Sequence, residues 1–274
     1  MSRRATAATR PRLAAVAACA FVLALAVAAT PARAGRSCEP RAPTVASVRD
    51  GLGLAERTVR ALDASGAQVV VLARAGQDLG RWGLRWSHLG LAYRDASAGG
   101  AWRVVHKLNH CGSDRASIYR QGIGDFFLDD PFELAAAWAV PDAALQRRLL
   151  AVLGDTATLA RLHEPAYSMV AYPWAARYQQ SNQWVIETMA YAADPSASSR
   201  ARAQGWLRLR GYEPAVLRID ALSRLGARVS AANVAFDDHP NAQRYAGRIE
   251  TVTADSVFAW LPRAGLAAAP TVLR

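Results

Sequence analysis

The sequence predicts an α+β fold in which a small antiparallel sheet packs against helices. Three strand-like segments lie close together in the first half of the chain, at residues 68–74, 86–94 and 102–109. Helical periodicity dominates the second half, with clear segments at 142–153 and from Ser181 onward. Because strands and helices do not alternate strictly, the pattern favours an α+β fold over a doubly wound parallel sheet.

The first predicted element is an amphipathic helix with Ser47 as a candidate N-cap and Gly66 as a stop. Its apolar residues recur at helical spacing; they are Val48, Leu52, Ala55, Val59 and Leu62. The β-branched segment 68–74 follows as the first strand.

The next two strands are predicted to form an antiparallel hairpin through the turn-rich segment 95–100. In the first of them, alternation places His88, Gly90 and Ala92 on one face. A helix over 142–153, a helix opening at Ser181, a late strand at 247–253 and a short final helix complete the predicted elements.

The N-terminal 34 residues predict a cleavable secretory signal peptide. Four arginines near the start precede an uncharged apolar run over 13–29, and Ala32-Arg33-Ala34 matches a cleavage site. We therefore expect an exported protein, periplasmic or secreted, whose mature chain begins at Gly35 and has no membrane span. An uncleaved anchor is the alternative. We expect a single α+β domain over 35–265 and a flexible tail over 266–274.

Two cysteines remain after the expected cleavage, Cys38 and Cys111. In an oxidising compartment two cysteines most simply form one disulfide. The alternative is that Cys111 is a free nucleophile.

The charge pattern gives no indication of nucleic-acid binding. The formal net charge is +11, but basic and acidic residues alternate without a dense basic run. The glycines at 76, 80 and 83 match no phosphate-binding loop, so no nucleotide cofactor is expected. His106, His110 and Cys111 have ligand side chains at a spacing that fits no standard zinc pattern, so we expect no metal.

Two groups of residues could carry chemistry. His88 and His106 lie on neighbouring predicted strands, where they would face each other as a base and its orienting partner, or as a hydrogen-bonded structural pair. Ser181 opens a predicted helix, where free N–H groups and the helix dipole assist a nucleophile. The same features make serine a favoured N-cap, which is the alternative interpretation.

Several stretches resemble a bacterial family of exported, uncharacterised proteins, the domain of unknown function 2145. They are Gly76-Gln77-Asp78-Leu79, SHLGLAYRD, WRVVHKLNHCG, SIYRQGIGDFF, YQQSNQWVIE, AFDDHP and VTADSVFAWL, spread from about Cys38 to Trp260. This resemblance implies a family and no activity.

A more distant resemblance is to circularly permuted papain-like hydrolases of the NlpC type and their lipid-directed relatives. Ser87-His88-Leu89-Gly90 is similar to their S-H-x-G strand, His106 falls at their polar orienting position, and the stretch from Ser181 to Glu187 is similar to their nucleophile helix. The resemblance implies His88 as base, His106 as orienter and Ser181 as nucleophile in place of cysteine. The N–H groups of Asn182 and Gln183 would then bind the oxyanion.

Two function hypotheses follow. The first is an exported serine-type hydrolase acting on an amide or ester, with a cell-envelope peptide or lipid as substrate and Cys111 as an alternative nucleophile. The second is a non-catalytic envelope protein that keeps the fold and uses the groove to bind a ligand or a partner, because a serine hydroxyl is a poorer nucleophile than a thiolate.

Overall fold

The computed structural model describes residues 42–129 and 131–274. Within these residues the chain combines helices with an antiparallel six-stranded sheet and a two-stranded sheet. The strands are β1 Val69–Ala75, β2 His88–Asp95, β3 Ala101–Asn109, β4 Ala116–Gly122, β5 Glu133–Ala139, β6 Ala215–Arg218, β7 Arg248–Thr251 and β8 Thr271–Leu273. The α+β prediction is confirmed, whereas the predicted signal peptide, its cleavage site and Cys38 lie outside the described residues.

The helices lie between and after the strands. They are α1 Val45–Ala64, α2 Ile123–Leu128, α3 Ala143–Gly154, α4 Thr156–Arg161, α5 Ser181–Ala193, α6 Arg200–Leu209, α7 Ala221–Ser230, α8 Asn241–Tyr245 and α9 Ala254–Arg263. In the part of the chain that the structure describes, no helix is long and apolar enough to cross a membrane.

The large sheet has the order β4-β3-β2-β1-β5-β8 and every neighbouring pair is antiparallel. The predicted hairpin of β2 and β3 is confirmed, with Leu91 opposite Val105 and Asp95 opposite Ala101. Its turn forms because the Asp95 carboxylate accepts from the N–H of Ser97, and Gly99 adopts a φ of 64°.

Helices cover the large sheet on both faces, so the central strand β1 is buried along its whole length. Leu54 and Leu62 of α1 and Phe126 of α2 pack on one face with Ala92 of β2. On the other face, α5 and α9 pack with a cluster of side chains from β1, β2 and β5; the helix residues at its centre are Trp184, Val185, Val257 and Trp260.

The second sheet pairs β6 with β7 and lies against α7 in a separate apolar cluster. Leu217, Ile249, Val234, Phe236 and Val170 are its buried members. This cluster lies beside the N-terminus of α5, where the predicted nucleophile is found.

Several sequence-based expectations were wrong at element ends. The first helix is capped by Thr44, whose hydroxyl accepts from the N–H of Ser47, so Ser47 is not the N-cap. Residues 266–274, expected to be a flexible tail, contain β8, whose Val272 pairs with Ala137 of β5. The strand was missed because its apolar residues are few and because β5, its partner within the described residues, is distant in sequence.

Strands β4 and β5 were also missed, because no strand was predicted between residue 109 and the helix at 142–153. β5 has the sequence ELAAAWA, and alanine is the residue with the highest helix propensity. The segment is nevertheless a strand, because pairing with β1 buries its last five residues. Burial therefore outweighs local propensity at this position.

Candidate functional site

The two predicted histidines meet across β2 and β3. His88 is the first residue of β2, and its Nε2 lies 2.9 Å from Nδ1 of His106 on β3. Nε2 of His106 lies 2.7 Å from Oε1 of Gln121 on β4. We call these three side chains the histidine relay. The prediction that the two imidazoles face each other is confirmed.

The relay defines a tautomer for each imidazole, given the amide orientation assigned to Gln121. Because Oε1 of Gln121 can only accept, Nε2 of neutral His106 donates to it and Nδ1 of His106 is left as an acceptor. Nε2 of His88 then donates to that acceptor, and Nδ1 of His88 keeps a lone pair. That nitrogen has the form required of a general base.

Both imidazoles are held in the neutral form. Burial lowers the pKa of His106 to about 4, and the positive charge of Arg74 acts in the same direction. Burial also lowers the pKa of His88 well below its ordinary value, with smaller contributions from Arg74 and His106. Arg74 is itself buried, where it donates to the carbonyl of Phe126 and pairs with Asp129.

The glycine of the S-H-x-G stretch is required by close packing behind the histidines. A Cβ built on Gly90 would lie 2.4 Å from Cγ1 of Val104 and 3.3 Å from Cβ of His106. Both histidine rings also pack on Phe126, with centroid separations of 5.9 and 5.4 Å. Gly90 therefore lets β3 place His106 against His88.

Ser181 is the first residue of α5, and the N-cap is the preceding Gln180. The N-cap interpretation of Ser181 is therefore wrong: Oε1 of Gln180 accepts the N–H of Asn182 at 2.8 Å. Ser181 is free of the capping role and is 5% exposed, and its hydroxyl lies near enough to Tyr167 to act on the pKa of that residue. Burial raises the pKa of Tyr167, so its hydroxyl is protonated near neutral pH.

Asn182 ties the start of α5 to the histidine strand. Its Oδ1 accepts the N–H of Leu89 at 2.9 Å, directly after His88. This contact fixes the position of Ser181 relative to β2 across 93 residues of sequence.

The structure also shows how the predicted oxyanion donors are engaged. The N–H of Asn182 is occupied by Gln180. The side chain of Gln183 donates to Glu187 and to the carbonyl of Pro173, and Gln183 does not line the cavity described next.

His88, Ser181 and Asn182 line one cavity of about 770 Å³. Gln180 and Tyr167 also line it, as do the charged residues Asp78 and Arg81. The apolar lining comes from one cluster, which includes Trp82, Leu84, Met169, Leu217, Val234 and Phe236. His88 bonds to His106, and no hydrogen bond joins His88 to Ser181 among the residues described. The fold thus brings the predicted base and nucleophile to one cavity without a direct bond between them.

A family model described as an uncharacterized protein conserved in bacteria, DUF2145, matches residues 61–261. The chain belongs to this family. His88, His106, Gln121, Ser181 and Glu187 all fall within the matched residues. No curated protein and no solved structure matches the chain.

Beneath Ser181, this DUF2145 chain contains a buried charged network that sequence analysis did not predict. Glu187 of α5 is fully buried and accepts from Nε of Arg200 at 2.9 Å. Three amide side chains also donate to its carboxylate: Gln179, Gln183 and Gln204. The network fixes α5 to α6 and to the segment that leads into Ser181.

Lys107, the only lysine of the chain, joins this network through Gln179. Its Nζ donates to Oε1 of Gln179 at 2.9 Å and to the carbonyl of Glu164 at 2.6 Å. Burial lowers the pKa of Lys107 to about 7, and the nearby Arg200 adds to the effect. The side chain is fully buried, so it supports the backbone before α5 and does not reach the cavity.

Three residues of the site were not predicted from the sequence: Gln121, Tyr167 and Arg74. Gln121 lies on the unpredicted strand β4, and Tyr167 lies in an irregular segment. Arg74 gave a usable indication, since an arginine at the end of an apolar strand requires a buried partner.

Asp238 and His239 form a buried corner, in which the Asp238 carboxylate accepts the N–H of Tyr172 and His239 bonds to Asp238. In the described ranges, no group of three or more His, Cys, Asp or Glu side chains could hold a metal ion. The Cys38–Cys111 disulfide stays a prediction, because Cys38 lies outside the described residues.

Proposed function

We propose that the chain is an exported hydrolase with a permuted papain-like arrangement, in which Ser181 is the nucleophile, His88 the general base and His106 the residue that orients His88. The observation that carries the proposal is the single cavity lined by His88 and Ser181, with the histidine relay behind it. The relay leaves Nδ1 of His88 as the acceptor nitrogen, which is the atom available to a serine proton.

In the proposed reaction, Oγ of Ser181 attacks the carbonyl carbon of an ester or amide and its proton passes to Nδ1 of His88. The tetrahedral intermediate collapses, the acyl group stays on Ser181, and His88 gives the proton to the leaving alcohol or amine. A water then attacks the acyl-serine and His88 takes its proton. His88 returns that proton to Oγ of Ser181 as the second tetrahedral intermediate collapses, which releases the carboxylic acid and restores the hydroxyl.

One local hydrogen bond must open for this reaction, and the Ser181 hydroxyl, which lies near Tyr167, must turn toward His88. The N–H of Asn182 can bind an oxyanion only after Gln180 releases it, because Oε1 of Gln180 holds it at 2.8 Å. Gln180 and Tyr167 both line the cavity, so an entering substrate carbonyl would meet both side chains.

The shape and lining of the cavity favour a substrate with an apolar group next to the scissile bond. Its polar part lies at Ser181 and His88, and the apolar walls include Trp82 and Phe236. A volume of about 770 Å³ is within the usual range for small-molecule sites. We propose an acyl ester or acyl amide of the cell envelope as the substrate class.

A second candidate function is binding without catalysis. It is favoured by one observation, that His88 bonds to His106 and that no hydrogen bond joins it to Ser181 among the residues described. In this case the cavity would hold an apolar envelope compound that is not cleaved.

A serine-directed fluorophosphonate probe separates the two candidates. The hydrolase proposal expects labelling of the wild-type chain, loss of labelling in Ser181→Ala, and strong reduction in His88→Ala. Ser223→Ala is the matched control, because Ser223 lines the same cavity but bonds to Asp220. If the wild type is not labelled and hydrolyses no p-nitrophenyl acyl ester, while a fluorescent fatty acid binds in the cavity, the second candidate replaces the first.

A further inference from the structure

Helix α7 presents a row of large apolar side chains to solvent. Leu222, Leu225 and Val229 are 80%, 62% and 82% exposed, and they recur at the i, i+3 and i+7 spacing of one helix face. No residue of α7 is buried. We call these three residues the α7 ridge.

A different side of the same helix forms part of the cavity wall. Ser223 and Ala227, which lie four residues apart, line the cavity together with Ile219 just before the helix. α7 therefore separates the cavity from the solvent that the α7 ridge faces. A surface that docks on the ridge would lie next to the cavity that contains Ser181.

The charges around the ridge are predominantly basic. Arg224 and Arg228 are the only charged residues of α7. Asp220 precedes the helix and is engaged as its N-cap, because its carboxylate accepts from the N–H and the hydroxyl of Ser223. Glu250 of β7 is likewise engaged, by the amide of Gln243.

Two more arginines stand beside the start of α7. Arg218 and Arg248 are exposed register partners at the end of the β6–β7 pair. This end is joined to α7, because the N–H of Ile219 donates to the carbonyl of Gly247 at 3.0 Å and Arg224 donates to the carbonyl of Ile219 at 2.7 Å.

We propose that α7 docks on an anionic lipid bilayer, with the ridge inserted at the boundary between headgroups and acyl chains. An apolar helix face bordered by arginines is the composition of helices that lie in a bilayer interface. Arginine can extend its charged end to lipid phosphates while its stem covers apolar surface. The docked helix holds the cavity against the surface from which an acyl compound would enter.

Vesicle co-sedimentation tests this surface independently of catalysis. The full-length chain, expressed with its own N-terminus, is mixed with phosphatidylcholine vesicles that contain about one quarter phosphatidylglycerol, and with pure phosphatidylcholine vesicles. The variant is Leu222→Ser/Leu225→Ser/Val229→Ser. Leu209→Ser is the control, since Leu209 is 88% exposed at the end of another helix, α6. All variants share the same N-terminus, so its own contribution to binding cancels.

The proposal expects binding that is stronger on anionic vesicles, falls with added salt, and drops at least about 10-fold in the triple variant but not in Leu209→Ser. Arg228→Glu should weaken binding to anionic vesicles selectively. Ser181→Ala should bind like the wild type, so failure of the hydrolase proposal would leave this result unchanged. Equal binding by the triple variant and the wild type overturns the proposal. The proposal is also overturned if the wild type binds no vesicles and is a dimer while the triple variant is a monomer, because the ridge would then join two copies of the chain.

Discussion

The buried Glu187 gives the sharpest test of the structure, through the substitution Glu187→Gln. The two carboxylate oxygens receive hydrogen bonds from Arg200, Gln179, Gln183 and Gln204, all of them donors. A glutamine offers one oxygen and one NH₂ group in the same space, so its NH₂ group would face donors that it cannot pair with. The change also removes the negative charge that balances Arg200, whose side chain is 9% exposed.

Breaking a buried ion pair by removing one partner typically costs about 3–5 kcal/mol. Arg200 keeps hydrogen bonds to the carbonyls of Ala176 and Tyr178, at 2.6 and 2.9 Å, which limit its loss. We therefore expect the free energy of unfolding to fall by about 3 kcal/mol, at the lower end of that range.

Urea unfolding followed by tryptophan fluorescence measures this difference. The matched control is Glu213→Gln, because Glu213 pairs with Arg263 at 3.3 Å while its side chain is 77% exposed. That change should alter the free energy of unfolding by less than about 0.5 kcal/mol. A loss below about 1 kcal/mol for Glu187→Gln would refute the argument, because it would mean that the network is solvated or differently paired.

Three further predictions can be checked on the same protein. The pKa of His106 is about 4 in the fold and 6.5 without perturbation, so the unfolded chain binds more protons between these two pH values. The free energy of unfolding should therefore fall by about 3 kcal/mol as the pH drops from 6.5 to 4. In urea unfolding, His106→Asn should show a smaller loss of stability over this pH range than the same substitution at the exposed His110. Gly90→Ala should lower the free energy of unfolding by about 1–3 kcal/mol in thermal or urea unfolding, because the added Cβ would overlap Val104. The control is Gly53→Ala in α1, where the added Cβ would meet only Arg57 at 3.5 Å. That change should be neutral or stabilising. Mass spectrometry of the exported protein should find Gly35 at its N-terminus and, without reduction, a peptide that links Cys38 to Cys111. Reduction of that disulfide should lower the free energy of unfolding by about 4 kcal/mol. An uncleaved N-terminus, or free thiols at both cysteines, would contradict the prediction that the protein is exported.

The parts of the fold that sequence reasoning predicted are those set by local pattern. The β2–β3 hairpin follows from two alternating segments around Asp95 and two glycines, and the structure forms that turn. The same alternation placed His88 and His106 on one face of the hairpin, where they are diagonal neighbours with nitrogens 2.9 Å apart. The helix predicted over 142–153 is α3, and Asp142 caps it by accepting from the N–H groups of Ala144 and Leu145.

The parts that it missed depend on partners distant in sequence. The alanine-rich β5 is a strand because β1 and β8 pair with it on either side. Gln121 could not be assigned to the relay without knowing that β4 pairs with β3. The N-cap of α5 is Gln180 and not Ser181, because Gln180 is also held by the carbonyl of Val252, 72 residues away.

The composition of the relay limits the chemistry that the proposed hydrolase can perform. The relay ends at the amide of Gln121, which carries no charge, and Arg74 adds a positive charge nearby. An imidazolium at His88 is therefore poorly stabilised, so His88 is neutral at physiological pH but is a weak base. A weak base does little to remove the Ser181 proton as Oγ attacks, so the attack needs a reactive carbonyl, and the carbonyl of an ester is more electrophilic than that of an amide. Within the proposed function, the relay consequently favours esters over amides, and the activity should hold a plateau near neutral pH and decline only on the acid side, well below pH 6.5.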